Sequence, residues 1–409
     1  MTNEARVRKS DSKSSDALFV PRSGESWRDP FPMYTALRDF DPVHHVKSDD
    51  GDYWTLSRFN DVFEAAVDFE TFSSAQGLTF AYDEMKKIGL EAPIVMMDPP
   101  GHTALRKLVT KRFTPRQVRE VAPLIRSFVV SRIERLREAG SGDIVAELFK
   151  PLPSLVVAHS LGVAQSDRGR FDGWSDAIVS ANASGNVLSA AEAVGELFAF
   201  FADLIEKKRR DPGDDMLSAL VHSELGGESV PMAKILGMAF TMVAGGNDTT
   251  TGLLSVAADL LTQNLDQRAL LLKDSSLMRG AIEEILRLAS PVQGLARMTT
   301  HDVEIRGKVI PKDRKVMLLY AAGNRDEREF GPTAAEFIIT RTTRRHLSFG
   351  YGAHHCIGAA IARLQATIAL EEILARCPDF IVDSEAARFA PGHFVRRYES
   401  MPFVANGIR

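Results

Sequence analysis

Residues 349–358 read Phe349-Gly350-Tyr351-Gly352-Ala353-His354-His355-Cys356-Ile357-Gly358, and a helical pattern from Ala359 to Ala375 follows at once. Three glycines in nine residues ask for positive φ or for a close approach of backbone. Cys356 then stands at the N-terminal end of a helix, where the dipole and free amides favour a thiolate, the form of cysteine that binds a metal. Two plainer readings compete. One is a buried free cysteine in a glycine-rich turn. The other is a zinc site made of His354, His355 and Cys356, but adjacent ligands in one tight turn are poorly spaced for tetrahedral zinc, and no CxxC or HxxxH partner exists elsewhere.

The chain around this segment has 409 residues, 44% of them hydrophobic and 25% charged, an ordinary globular composition with ample material for a large core. A net charge of -4 argues against a nucleic-acid binder, which needs a concentrated basic face. Cys356 and Cys377 are too few for a disulfide framework and read as reduced thiols of a cytoplasmic protein. Met1 to about Leu18 is polar and charged, the pattern of a disordered tail with no signal peptide or membrane anchor, which leaves 19–409 as one domain. The most apolar internal run, Ile235 to Gly246, is too short to span a bilayer.

Most of the chain carries helical periodicity. Helices are expected over Pro32–Asp39, Arg58–Asp68, Thr103–Phe113, Pro115–Ala139, Leu152–Leu161, Phe171–Asn182, Ala190–Arg210 and Met278–Ala289. Pro231 to about Asn264 is the longest pattern and would run on the order of 50 Å. Its middle is apolar nearly all round, which predicts burial. Gly245-Gly246 interrupts it, and a glycine inside a helix costs about 1 kcal/mol relative to alanine, so the pair needs a reason. Strands are expected at Trp54–Leu56, Asp302–Ile310 and Val316–Tyr320. This is a mainly α chain with a minor sheet.

Two further segments carry chemistry. Glu284-Ile285-Leu286-Arg287 sets acid and base at i and i+3 of a helix, which alone reads as a surface ion pair of about half a kcal/mol. Ala244-Gly245-Gly246-Asn247-Asp248-Thr249-Thr250 puts a carboxylate in an apolar helix centre, a costly placement without a role or a partner. One reading is a kink with Asp248 satisfying Thr250 or the backbone. The other is a helix that the glycines let widen, leaving a carbonyl free for water.

Phe349, Gly350, Gly352, His354, Cys356 and Gly358, in the order Phe-Gly-x-Gly-x-His-x-Cys-x-Gly, resemble the haem-binding loop of the cytochrome P-450 superfamily. Glu284-x-x-Arg287 and the Gly-x-acid-Thr of 246–249 match two other signatures of that superfamily, in the same order. The resemblance covers nearly the whole chain, from Trp27-Arg28-Asp29-Pro30 to Met401-Pro402-Phe403, and is of the soluble bacterial type. Phe113-Thr114-Pro115-Arg116-Gln117-Val118, residues 291–297 and residues 322–328 are similar, more narrowly, to the mycobacterial cytochrome P-450 family 130.

The resemblance implies a cytochrome P-450 fold, a large helical domain with a long central helix over haem b (iron protoporphyrin IX). It implies Cys356 as the ligand to iron, where a thiolate sulfur favours O–O cleavage. Phe349, Gly350 and Gly358 would frame that ligand. His102, Arg106, Arg297 and His354 would hold the two propionates, Arg297 lying before the first sheet strand. Asp248 and Thr249 would deliver protons during oxygen activation, with Gly245 giving access. Glu284 and Arg287 would form a buried structural pair with a third arginine, Arg325 or Arg341. Substrate would meet Phe80, Ile94, Val95, Phe240, Val243, Ala244, Val292, Leu295 and Phe394, with Gln293 and His393 as polar candidates and Met96, Met97 and Met238 as adaptable ones. That apolar wall predicts a lipophilic small molecule.

The expected reaction is hydroxylation or oxidative dealkylation with dioxygen, electrons arriving from a ferredoxin or flavodoxin and its reductase. Lys107, Lys111, Arg112, Arg344 and Arg345 would form a basic docking patch on the cysteine side, against ordinary surface charge as the alternative. A peroxygenase driven by hydrogen peroxide and a haem sensor without turnover are the competing functions; the acid–threonine pair disfavours both.

Overall fold

A computed structural model describes residues 17–49, 51–82, 91–110, 113–184 and 191–407. Most of the expected tail, 1–16, lies outside the described residues, as do Lys111, Arg112 and 83–90 of the substrate-side segment.

The helix Met232–Gln263 is the axle of the molecule, 32 residues or about 48 Å long. Its C-terminal half is the more deeply buried: Leu253, Leu254, Ala257, Ala258 and Leu261 pack with the helices Ala122–Ala139, Met278–Ala289 and Ala359–Arg376. Its N-terminal half packs Ile235, Met238, Ala239 and Val243 against the helices Gly101–Thr110, Pro151–Ser160 and Ala191–Arg210. The two apolar clusters meet near the glycine pair. Burial is therefore complete from Thr250 to Ala258 and not, as the apolar pattern suggests, through the middle, where Gly245 is exposed and Ala244, Asp248 and Thr249 are half-buried. The helix also runs unbroken through Gly245-Gly246 with no widened turn.

Gly246 owes its place to packing. A Cβ there would stand 2.7 Å from Val157 Cγ2 of the neighbouring helix. At Gly245 a Cβ would meet nothing within 4 Å, so helix packing does not explain that residue.

The main sheet orders its strands Val43–Val46, Tyr53–Leu56, Lys315–Leu318, Leu295–Thr299, Phe72–Ser73. Tyr53–Leu56 and Lys315–Leu318 run parallel although some 260 residues separate them in sequence; the other pairs are antiparallel. Arg297 lies inside a strand, opposite Val316, rather than before the first strand. Side chains alternate along a strand, so Leu295 and Arg297 point to one face. The segment Asp302–Ile310 is a hairpin, Val303–Ile305 with Lys308–Ile310, because Arg306 and Gly307 turn the chain through positive φ of 53° and 74°. Val121 divides Pro115–Ala139 into Pro115–Glu120 and Ala122–Ala139. Among the described residues no helix is long and apolar enough to cross a membrane.

Candidate active site around the cysteine loop

The loop from Leu347 to Gly358 is built by its glycines. Gly350 and Gly352 have φ of 62° and 68°, and a Cβ on Gly352 would stand 2.9 Å from Val67 Cα, so the second glycine also allows the helix Phe59–Val67 to close on the loop. Gly358 needs neither licence; it caps the helix Ala359–Arg376. The turn is closed by Cys356 N–H donating to Phe349 O at 2.8 Å and Gly350 N–H to Leu347 O at 2.8 Å. Two residues, Ile357 and Gly358, therefore separate Cys356 from the helix, and the Gly358 amide donates to its sulfur. Burial nonetheless pushes the Cys356 thiol up, and the Gly358 amide, Arg106 and Arg363 only partly offset it. A cation bound at the sulfur would add to the Gly358 amide in favouring the thiolate.

Around the loop stand His102 and Arg106 on the helix Gly101–Thr110, Arg297 on the sheet, and His354. The rings of His102 and His354 lie 4.3 Å apart. His102 Nδ1 and His354 Nε2 are buried and have no hydrogen-bond partner. Arg106 donates to His355 O and Arg297 to Ala296 O, and among the described residues neither has an ion pair. Burial, then Arg297, His102 and Arg106, push His354 down to about 3, so it enters as a neutral ring rather than as a cation. Four nitrogen-bearing side chains crowd together, and among the described residues none of them forms an ion pair with a carboxylate, Asp98 alone acting on His102 through its charge. That donor set, with two orphaned imidazole nitrogens, fits a dianionic ligand beside Cys356.

On the central helix, Thr249 Oγ1 donates to Gly245 O at 2.8 Å. Asp248 bonds neither Thr250 nor its own backbone; Arg397 Nε donates to its Oδ1 at 2.6 Å. Burial raises the Asp248 carboxyl, and Arg397 and then Lys150 pull it part of the way back. Arg397 is the residue that sequence reading missed. The available signal was the pair Arg396-Arg397 in an extended segment, where alternation sends the two guanidiniums opposite ways: Arg396 to Trp27 O, Arg397 to Asp248.

Glu284 and Arg287 are both completely buried, 0% exposed, so the surface-pair reading fails. Arg287 donates to both carboxylate oxygens at 2.8 and 2.7 Å and to the carbonyls of Asn324 and Ala334. The third arginine is Arg341, whose Nε donates to Glu284 Oε1 at 3.0 Å. Arg325 instead lies on the Phe31 ring and donates to Leu288 O and Ala335 O. The triad stitches residues 324–343 to the helix Met278–Ala289, and Asn324 carries the link on, accepting from Leu347 N–H at 2.6 Å at the start of the cysteine loop.

The family model for cytochrome P-450 matches residues 25–385. The chain belongs to the cytochrome P-450 family. It is therefore a monooxygenase and an oxidoreductase, and its cofactor is haem b, for which the cationic cradle and Cys356 are the matching donors. Cytochrome P-450 130 of Mycobacterium tuberculosis is 54% identical over 393 residues, covering 94% of this chain and 97% of that protein, which bears out the narrower resemblance. Vitamin D(3) 25-hydroxylase of Pseudonocardia autotrophica is 36% identical, covering 87% of this chain and 88% of its own. The solved structure of CYP109Q5 from Chondromyces apiculatus superposes with a TM-score of 0.84 at 34% identity, covering 93% and 96% of the two chains.

In this cytochrome P-450 the expected substrate-side residues fall in three neighbouring clusters. Ile94 and Val243 are core of the helical cluster, and Val243 at 0% exposure is packing rather than wall. Val95, Phe240 and Ala244 line the same cluster with partial exposure. Val292 and Leu295 border the sheet, Val292 bridging Val395. Phe80 and Phe394 stand 5.6 Å apart ring to ring. Gln293 is not a pocket group: it is buried, bonded to Tyr34 Oη and to Ser290 O, and spent on structure. His393 is bonded to Arg22 O.

Outside the cysteine loop a groove is lined by Arg344, Arg345 and Arg363 together with Phe349 and His355. Lys107 and Arg344 are exposed. Arg345 is held by Glu329 and stacked on Phe59 and Phe63, and Arg363 is held by Glu283.

Proposed function

We propose that this cytochrome P-450 hydroxylates, or oxidatively dealkylates, a lipophilic small molecule in the cytoplasm, with dioxygen as oxidant and electrons from a ferredoxin or flavodoxin and its reductase. One oxygen atom enters the substrate, and the other leaves as water with two electrons and two protons. The observation that carries this reading is the placement of Asp248 and Thr249, both half-buried, beside the exposed Gly245 and directly ahead of the fully buried run Thr250–Ala258 of the central helix.

Haem b, when bound, supplies the oxygen-activating chemistry, with the thiolate sulfur favouring O–O cleavage. The chain supplies what surrounds it. Cys356 offers its sulfur, oriented by the Gly358 amide. His102, Arg106, Arg297 and His354 would meet the propionates. Asp248 holds a proton at its carboxyl, and Thr249 offers the hydroxyl that passes it on. Phe80, Val95, Phe240, Ala244, Leu295 and Phe394 exclude water, which favours an apolar substrate. The name of the Pseudonocardia relative, a vitamin D3 hydroxylase, is of the same class of chemistry. Arg344 and Arg345, which line the groove, and the exposed Lys107, next to Arg106 on its helix, support docking of an acidic electron carrier on the cysteine side.

Thr249→Ala tests the reading. Electron consumption should continue while product per electron pair falls at least tenfold, the deficit appearing as hydrogen peroxide. Unchanged product yield would refute the proton-delivery role.

A further inference from the structure

Asp248 is held from a part of the chain that proton delivery does not otherwise involve. Arg397 lies in the C-terminal segment, between the isolated bridge Val395–Val292 and the strand Tyr398–Ser400. That segment is pinned: Arg396 N–H donates to Pro291 O at 2.8 Å and Gln293 N–H to Phe394 O at 2.8 Å. It crosses the central helix at Gly252, where a Cβ would stand 2.8 Å from Arg396 O and 3.4 Å from Arg397 Cβ. The glycine thus lets the strand lie directly on the helix one turn beyond Asp248, and the Arg397 side chain reaches back to close a 2.6 Å ion pair whose partners are 10% and 19% exposed.

We propose that Arg397 is a positioning residue for proton delivery: from a rigid strand it grips the Asp248 carboxylate, setting where that carboxylate points and when it carries a proton. The inference rests on the acid–threonine reading above. With Thr249 bonded to Gly245 O and Asp248 bonded to Arg397, the two members of the pair are parked apart. A proton reaches Thr249 only when the ion pair loosens. The other charged groups facing Asp248 are Lys150, ahead of the helix Pro151–Ser160, and Asp176, on the helix Arg168–Ser184. These two pair with each other at 3.0 Å and are about half exposed, so they form the solvent end of the route, with Arg397 at its inner end.

The test compares Arg397→Gln, Arg397→Lys and Asp248→Asn as haem-loaded proteins. Product per electron pair is followed against pH, and difference infrared spectroscopy reads the protonated-carboxyl stretch. An opposite charge at this distance lowers a carboxyl by about 1–3 units, so its removal lets the protonated form persist to higher pH. Arg397→Gln should move the alkaline limb of coupled turnover up by at least about one pH unit. It should also show a protonated-carboxyl band at neutral pH that vanishes when Asp248→Asn is added. Arg397→Lys, which keeps the charge, should keep the wild-type limb; a limb displaced upward by about one pH unit in the Lys variant overturns the proposal, a reading that stands even if the Gln variant fails to take up haem. An unmoved limb and no new band in Arg397→Gln, with Asp248→Asn still uncoupled, would show that Arg397 only packs. Full coupling in Asp248→Asn would remove the acid–threonine reading itself, and the proposal with it.

Discussion

Replacing Glu284 by Gln separates two accounts of the Glu-x-x-Arg segment by their size. If the pair were an exposed i, i+3 contact, losing it would cost about 0.2–1 kcal/mol. In the structure every lone pair of the carboxylate faces a donor. Oε2 accepts from Arg287 Nε and Thr343 Oγ1; Oε1 accepts from Arg287 Nη2, Arg341 Nε and Ile338 N–H. A glutamine must turn its NH2 toward one of these sets, so no orientation avoids donor against donor. It also leaves the fully buried Arg287 without a counter-charge. Breaking a buried pair in this way costs about 3–5 kcal/mol, a large share of the roughly 5–15 kcal/mol that holds a domain folded. The loss should be felt at the cysteine loop, because Asn324 connects the triad to Leu347. Two measurements check this: the midpoint of equilibrium unfolding, and the fraction of reduced, carbon monoxide-treated protein with a thiolate-ligated spectrum. Both should fall together. Arg341→Met, which removes one donor and leaves the Arg287 pair intact, should cost less, about 1.5–3 kcal/mol for a charged hydrogen bond. A loss below about 1 kcal/mol in Glu284→Gln, with the thiolate spectrum intact, would refute the reasoning.

Two other substitutions follow from the same geometry. Gly246→Ala meets Val157 Cγ2 at 2.7 Å and should destabilise by about 1–3 kcal/mol through overpacking, whereas Gly245→Ala, with nothing within 4 Å, should leave the fold about 0.5–1 kcal/mol more stable; thermal melts of the two variants give opposite signs if this is right. Glu283 is half-buried, which alone would raise its carboxyl, but His346 and Arg363 bring it down to about 2. A depressed carboxyl stabilises the fold above its unfolded value and loses that stabilisation as pH falls, here from about 4.5 towards 2. Glu283→Gln should therefore flatten acid unfolding across that window, and an unchanged acid limb would show that the pair with Arg363 and His346 contributes nothing.

The helices were legible because each carries its own period, and the long ones are right to within a few residues. The sheet was not. Tyr53–Leu56 reads as a strand, but its parallel partner Lys315–Leu318 is chosen by the whole fold, and no local pattern names it. The hairpin at 303–310 hid for a subtler reason: alternation of apolar residues continues in phase through Arg306-Gly307, so one long strand and two short ones look alike. The cysteine loop was legible in its glycines, two of which do take positive φ. Glycine spacing is a local demand on φ, whereas the groups that bear on Cys356 include Arg106 and Arg363, which only the fold brings near it.

The same distinction sorts charged side chains in the interior. Glu284 finds Arg287 and Arg341 within the chain, and Asp248 finds Arg397; an interior charge answered in this way holds elements together or waits to be released. Among the described residues Arg325 and Arg396 form no ion pair, yet each is met by backbone carbonyls and an aromatic face, and each stands on different structural elements from the other. His102, Arg106, Arg297 and His354 break the pattern, because four nitrogen-bearing groups from two helical segments and a strand converge, and Arg297, His102 and Arg106 add to burial in holding His354 down. Like charges gathered out of water raise the energy of the fold, so stability alone gives no reason for them. Sequence spacing could align His102 with Arg106, one helical turn apart, but their convergence with Arg297 and His354 exists only in three dimensions. That convergence, more than any single residue, is what marks this face of the molecule as built around an anion that the chain itself does not provide.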